Sequence, residues 1–203
     1  MSTTTTANNF ELNRGDQFIV AFDISGSMQT QDCPGNARRF DYVTETMKAF
    51  IGEAAKWDPD GVSFYAFNNH LQAFPNVTTV DEISSKIASL RPGGGTNTHL
   101  AITAAYKEHK EAKSEQTFLM IFTDGEPTDP DAVKKSIIDI TKDVTDEKEF
   151  RICILTVGQR SAALETWLND LDNNLTGVKY DIVKVEKLED VDFEQAVADA
   201  IEG

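Results

Sequence analysis

Basic residues are in short supply. The chain sets 19 Lys and Arg against 34 Asp and Glu, for a formal charge of −15. Binding to nucleic acid or an anionic membrane leans on Lys and Arg, so neither is expected as a partner. Such an acidic balance serves solubility. Histidine is almost as sparse, with three in 203 residues, and cysteine is down to Cys33 and Cys153. Two cysteines, one in a loop and one in an apolar run, make neither a disulfide framework nor a zinc-site spacing. Free thiols in a reducing compartment are expected, and with them a cytoplasmic location. No apolar run approaches the roughly 20 residues that span a bilayer, so no membrane insertion is expected. The opening MSTTTTANN has neither the basic segment nor the apolar core of a secretory leader. There is no internal repeat and no linker. At this length one sizeable α/β domain is expected over 14–203, after a disordered polar tail at 1–13.

What is present is an alternation of apolar strands and amphipathic helices. Phe18 to Phe22 is an uninterrupted apolar run ending at Asp23, the pattern of a strand buried on both faces. The polar loop 28–37 leads into a helix over 40–56, with Tyr42, Val43, Thr46, Met47, Phe50 and Ile51 at helical spacing and Asp58-Pro59 closing it. VSFYAF (62–67) and LQAFP (71–75), joined by NNH, read as a hairpin. Helices are expected over 80–90, 98–112, 130–144, 162–171 and 188–201. Strands are expected over 116–123, 150–157 and 179–185. The order predicts a Rossmann-like, doubly wound α/β fold. Its six-stranded sheet should be mostly parallel, with helices on both faces and one short antiparallel edge strand near 70–74.

Three polar loops should leave one edge of that sheet. They are Asp23-x-Ser25-x-Ser27, Gly93-Gly94-Gly95-Thr96 and Thr123-Asp124-Gly125. In open α/β sheets ligands bind outside the carboxyl ends of the strands. The loops offer the hydroxyls of Ser25, Ser27 and Thr96 and the carboxylates of Asp23 and Asp124. These are hard oxygen donors of the kind Mg²⁺ or Mn²⁺ prefers, ahead of Ca²⁺. If the hydroxyls coordinate directly and the carboxylates act through water, the metal charge stays incompletely neutralised and favours an incoming carboxylate. Such a site binds another protein and needs no catalysis. Thr98 competes with Thr96 for either role, metal ligand or cap of the helix that follows. Asp32, Glu126, Asp129 and Asp131 are expected to be solvated loop or first-turn acids, and His70, His99 and His109 to lie at the surface.

DISGSM, GGGTNTH and FTDGEP, in this order after buried strands, resemble the von Willebrand factor type A domain and its metal-ion-dependent adhesion site. The matched positions are Asp23, Ser25, Ser27, Thr96 and Asp124. The resemblance implies a Rossmann-like sheet, one bound Mg²⁺ or Mn²⁺, and a protein partner that completes the coordination with an Asp or Glu. His99 stands where such domains often carry Gly, which bears on the shape of the loop. Stand-alone domains of this type resemble bacterial and phage proteins of tellurium-resistance and stress clusters, and the A-domain of copines.

Rival functions lack parts. A haloacid-dehalogenase-type phosphatase or phosphotransferase also starts from an Asp at a strand end, but its second Asp is here Ser25, so the proton donor is missing. No G-x-S-x-G surrounds Ser27, and no G-x-G-x-x-G follows the first strand. An assembly subunit with a purely structural metal site is the remaining alternative.

Overall fold

The structure is a computed structural model and describes residues 16–57 and 61–191. The tail at 1–13, the Asp58-Pro59 stop and the greater part of the helix expected over 188–201 lie outside these residues.

The first strand, β1 (Gln17–Asp23), is buried along its apolar run and lies in the middle of a six-stranded sheet. After it the chain forms a 3-10 turn (Gly26–Gln29) and a small antiparallel hairpin, β2 (Gln31–Cys33) and β3 (Ala37–Arg38). Helix α1 (Arg39–Trp57) then leads to β4 (Val62–Phe67) and β5 (Leu71–Val77). Next come α2 (Val80–Ser89), α3 (Thr98–Ala112), β6 (Thr117–Thr123), α4 (Pro130–Asp143), β7 (Phe150–Thr156), α5 (Ala162–Asn173) and β8 (Val183–Lys187). The sheet order is β5-β4-β1-β6-β7-β8, and only the β4–β5 pairing is antiparallel. This is the mostly parallel α/β sheet with one antiparallel edge strand that the alternation of elements predicts.

Alternate residues of each central strand enter different cores. Phe18, Val20 and Phe22 pack with Met47, Phe50 and Ile51 of α1 and with Ile83 and Ile87 of α2. Ile19 and Ala21 face the other way, onto Ala101, Ile102 and Ala105 of α3 and Val133 and Ile137 of α4. A strand that feeds two cores has no polar face, which is why β1 and β6 read as unbroken apolar runs.

Three helices start on side-chain caps. Thr79 accepts from the Glu82 amide, Asp129 from Ala132 and Ser161 from Leu164.

Two expectations change. The last strand begins at Val183, later than residue 179, because Lys179 and Tyr180 are drawn onto the end of α4. There the Lys179 amide donates to Thr141 Oγ1 (3.2 Å), and the Tyr180 hydroxyl donates to the Thr145 carbonyl. His109 is buried, not at the surface. Its Nδ1 lies 2.9 Å from Thr117 Oγ1 and its Nε2 3.5 Å from Glu149, while His70 is exposed and His99 half-buried.

At the sheet end remote from the three polar loops, Glu108 of α3 ties helix to sheet. Its carboxylate accepts from Gln17 Nε2 (2.6 Å), Ser63 Oγ (2.5 Å) and the Tyr65 hydroxyl. Glu108→Ala leaves three donors without their acceptor and is expected to cost about 2–3 kcal/mol. A lowered urea midpoint with unchanged slope would record it; no shift would refute it.

Candidate functional site

The chain runs outward in both directions from β1, through α1 to β4 on one side and through α3 to β6 on the other. Strand order therefore reverses at β1, the switch point where open α/β sheets form their ligand crevice at the carboxyl ends of the strands. Asp23 ends β1 and Asp124 directly follows β6, the adjacent strand.

Asp23 is fully buried. Its Oδ1 accepts the Ser25 amide (2.7 Å) and its Oδ2 accepts the Thr123 hydroxyl (2.6 Å), which in turn accepts the Gly125 amide (3.1 Å). The Ser25 and Ser27 hydroxyls lie 3.0 Å apart, Ser25 buried and Ser27 exposed. The glycine-rich loop is joined to this turn along the backbone. The Gly93 amide donates to the Ile24 carbonyl (2.8 Å), and the Gly26 amide to the Gly94 carbonyl (3.1 Å). Thr96 is buried, and Asn97, not Thr96 or Thr98, occupies the N-cap position of α3. The third loop joins through Thr128, whose hydroxyl accepts the Thr96 amide (2.8 Å) and whose amide donates to the Thr96 carbonyl (2.9 Å). All three loops are thus linked by direct hydrogen bonds. Only the Ser25–Ser27 pair among the five candidate residues has its oxygens in direct mutual contact.

The electrostatics of the crevice are unbalanced. Burial pushes the Asp23 carboxyl up to about 7, and the charge of Asp124 adds to the rise against the hydrogen bonds from Thr123 and Ser25. Asp124 is also buried. Its Oδ2 takes a hydrogen bond from Arg39 Nη1 (3.0 Å), while its Oδ1 is enclosed and accepts none. A buried acceptor without a donor is costly, and two buried carboxylates in one crevice call for positive charge. A hard divalent cation meets both demands. The oxygen set of Asp23, Ser25, Ser27, Thr96 and Asp124 suits Mg²⁺ or Mn²⁺. Among the described residues no group of three His, Cys, Asp or Glu side chains gathers as a metal site. The donors here are mainly hydroxyls, and they fit.

Several site residues carry no sequence signal as ligands. Asn68 and Asn69, in the β4–β5 turn, hold the glycine loop through Asn68 Nδ2 to the Gly93 carbonyl (2.8 Å) and the Gly95 amide to Asn69 Oδ1 (2.8 Å). Paired asparagines at the carboxyl end of a strand were the available clue. Asp32, expected to be solvated, instead makes a two-pronged ion pair with Arg39, at 2.8 and 2.5 Å. Asp129 is engaged as the α4 cap, while Glu126 and Asp131 are exposed. Gly95 is tightly enclosed, since a Cβ there would lie 2.7 Å from Thr128 Oγ1 and 2.9 Å from Asn69 Oδ1. Gly95→Ala is expected to cost about 1–3 kcal/mol and to weaken cation binding by displacing Thr96. Thermal unfolding beside a Mn²⁺ titration checks both, and a variant equal to wild type in both would refute it.

A mostly parallel sheet with loop-borne hydroxyls and carboxylates at its switch point places the chain in a class of α/β domains with a ligand crevice at the strand ends. The family model described as von Willebrand factor type A domain matches residues 18–194, and the chain belongs to that family. Solved structures share the fold at low identity. The SpRpn10 VWA domain is 13% identical with a TM-score of 0.60, over 91% of this chain and 94% of that one. Manganese-loaded TRAP protein of Plasmodium vivax is 12% identical with a TM-score of 0.62, over 91% and 71%. The pilus adhesin SpaC of Lactobacillus rhamnosus GG is 14% identical with a TM-score of 0.67, over 95% of this chain and 31% of that one. No curated protein matches the chain.

Proposed function

We propose that the chain is a metal-dependent protein-binding module without catalysis, working through an adhesion-type cation site. Ser25, Ser27 and Thr96 would supply hydroxyl oxygens, and Asp23 and Asp124 would orient bound water and balance charge. The observation that carries this reading is the enclosed, unpartnered Asp124 Oδ1 beside the raised Asp23 carboxyl. Mg²⁺ or Mn²⁺ bound there would offer an open position to an Asp or Glu of a protein partner. A structural neighbour that is manganese-loaded, and another that is a pilus adhesin, support the comparison. Ser25 keeps its hydroxyl bonded to Ser27 and cannot act as the carboxylic acid that phosphatase chemistry requires.

A cytoplasmic setting goes with this reading. Burial pushes the Cys33 thiol up to about 11 and the Cys153 thiol up to about 12, as suits inert, unpaired cysteines. Among the described residues no helix is long and apolar enough to cross a membrane. Service in a bacterial stress system of the tellurium-resistance type rests on the sequence resemblance alone.

Calorimetric titration of metal-stripped protein with Mn²⁺ and Mg²⁺ tests the site. Wild type is expected to bind one cation and Asp23→Ala none, with the fold retained by circular dichroism. Equal binding by both would place the cation elsewhere and sink the assignment. Release of phosphate from a phosphatase substrate would revive the enzyme alternative.

A further inference from the structure

Arg39 is the first residue of α1, the helix end where the macrodipole favours negative charge. Its charge is therefore misplaced for the helix, and its contacts lie elsewhere. The guanidinium is almost enclosed, with 12% of the side chain exposed. Nε donates to Asp32 Oδ1 (2.8 Å), Nη2 to Asp32 Oδ2 (2.5 Å) and Nη1 to Asp124 Oδ2 (3.0 Å). Asp32 is itself anchored, since its Oδ2 also accepts the Gln159 amide (3.0 Å). Gly158 closes the space, because a Cβ there would lie 2.3 Å from Arg39 Nε and 2.8 Å from Asp32 Oδ1. The hairpin β2–β3 and the loop after β7 thus clamp one cation against one oxygen of Asp124. The other oxygen of the same carboxylate is the enclosed one without a donor.

We propose that Arg39 is the positioning residue of the cation site: it holds Asp124 Oδ2, leaves Oδ1 to accept from the water that a bound cation would hold, and keeps the metal's affinity low until a partner carboxylate joins. This rests on the cation reading above. The reasoning is electrostatic. A guanidinium in hydrogen-bond contact with a candidate ligand repels an arriving dication, and in an enclosed site that repulsion is poorly screened. By neutralising part of Asp124, the same charge would leave a bound cation with more of its charge for a further anion. Asp32 tempers the effect by sharing the guanidinium, so Asp32 and Arg39 act on the metal with opposite sign. A mere strap between hairpin and sheet would have no such sign.

The test is a Mn²⁺ titration of metal-stripped wild type, Arg39→Met and Asp32→Asn, by calorimetry and by the electron paramagnetic resonance signal of free Mn²⁺. Thermal midpoints in chelator are recorded alongside. Both variants should melt lower than wild type in chelator, since each breaks the clamp. Arg39→Met should bind Mn²⁺ at least about fivefold more tightly, and Asp32→Asn at least about threefold more weakly. If Arg39→Met does not fold, Asp32→Asn, which keeps the guanidinium, decides alone. Affinities that move in the same direction, or stay at the wild-type value, would overturn the proposal while leaving the cation site standing. No Mn²⁺ binding by any of the three proteins would overturn the cation reading itself.

Discussion

Replacing Asp23 by Asn is expected to stabilise the metal-free protein at pH 8 and at the same time to abolish cation binding. The two effects share one cause. The Asp23 carboxyl titrates at about 7 in the fold against 3.8 for an ordinary aspartate, because it is buried and beside Asp124. A folded-state value above the unfolded one means that the fold holds a proton the unfolded chain releases. The contribution is fully present below about pH 3.8 and is lost as pH rises through about 7. At about 1.4 kcal/mol per unit, the loss is on the order of 4 kcal/mol. The neutral amide escapes it, less about 1 kcal/mol for a poorer bond with Thr123. Urea unfolding in chelator at pH 5 and pH 8 measures the difference. Wild type should weaken between the two pH values, the variant far less, and Mn²⁺ should restore wild type only. A variant less stable than wild type at pH 8 in chelator would show that Asp23 is not an uncompensated charge.

Phe122→Ala should have the largest effect on the fold itself. Phe122 is fully buried on β6, one residue before the Thr123 hydroxyl that holds Asp23, and its ring meets Phe50 of α1 edge-on at 6.4 Å between centroids. Emptying that position is expected to cost about 3–5 kcal/mol, transfer and cavity together. Because β6 pairs with β1 directly alongside (Phe22 opposite Phe122), the loss should reach the crevice and weaken Mn²⁺ binding as well. Equilibrium urea unfolding checks the first claim and calorimetry the second. A cost below about 1 kcal/mol would mean that the core collapses around the gap.

The parts of the fold that were legible were those where one residue pattern had one physical cause. β1, β6 and β7 bury both faces or nearly so, and they appear as apolar runs. The antiparallel β5 was visible because only three residues separate it from β4, too few for a parallel crossover. The hairpin of β2 and β3 was not visible, since strands of three and two residues have no room for a period. Its turn relies on Gly35 and Asn36 in left-handed conformation, a local signal that also suits a plain loop. His109 was misplaced because a histidine stacked on Tyr106 and edge-on to Phe150 looks, in sequence, like any polar residue on a helix. The five oxygen-bearing candidates stood out by their places after strands. Arg39 did not, because its tie to Asp124 joins residues 85 positions apart and nothing in the local sequence records it.

The position of β1 has a consequence for synthesis. β1 precedes both of its sheet neighbours, β4 and β6, in the chain, and β6 begins only at Thr117. Once β4 has emerged, about fifty further residues must leave the ribosome before β6 can close the other edge, a delay of several seconds at about 5–20 residues per second. During that interval the nascent chain presents the flank of Phe18–Phe22 that will later pair with β6, apolar and uncharged. Such an edge recruits other strands. The yield of folded protein should therefore depend on what shields that edge during translation, more than on the stability of the finished sheet.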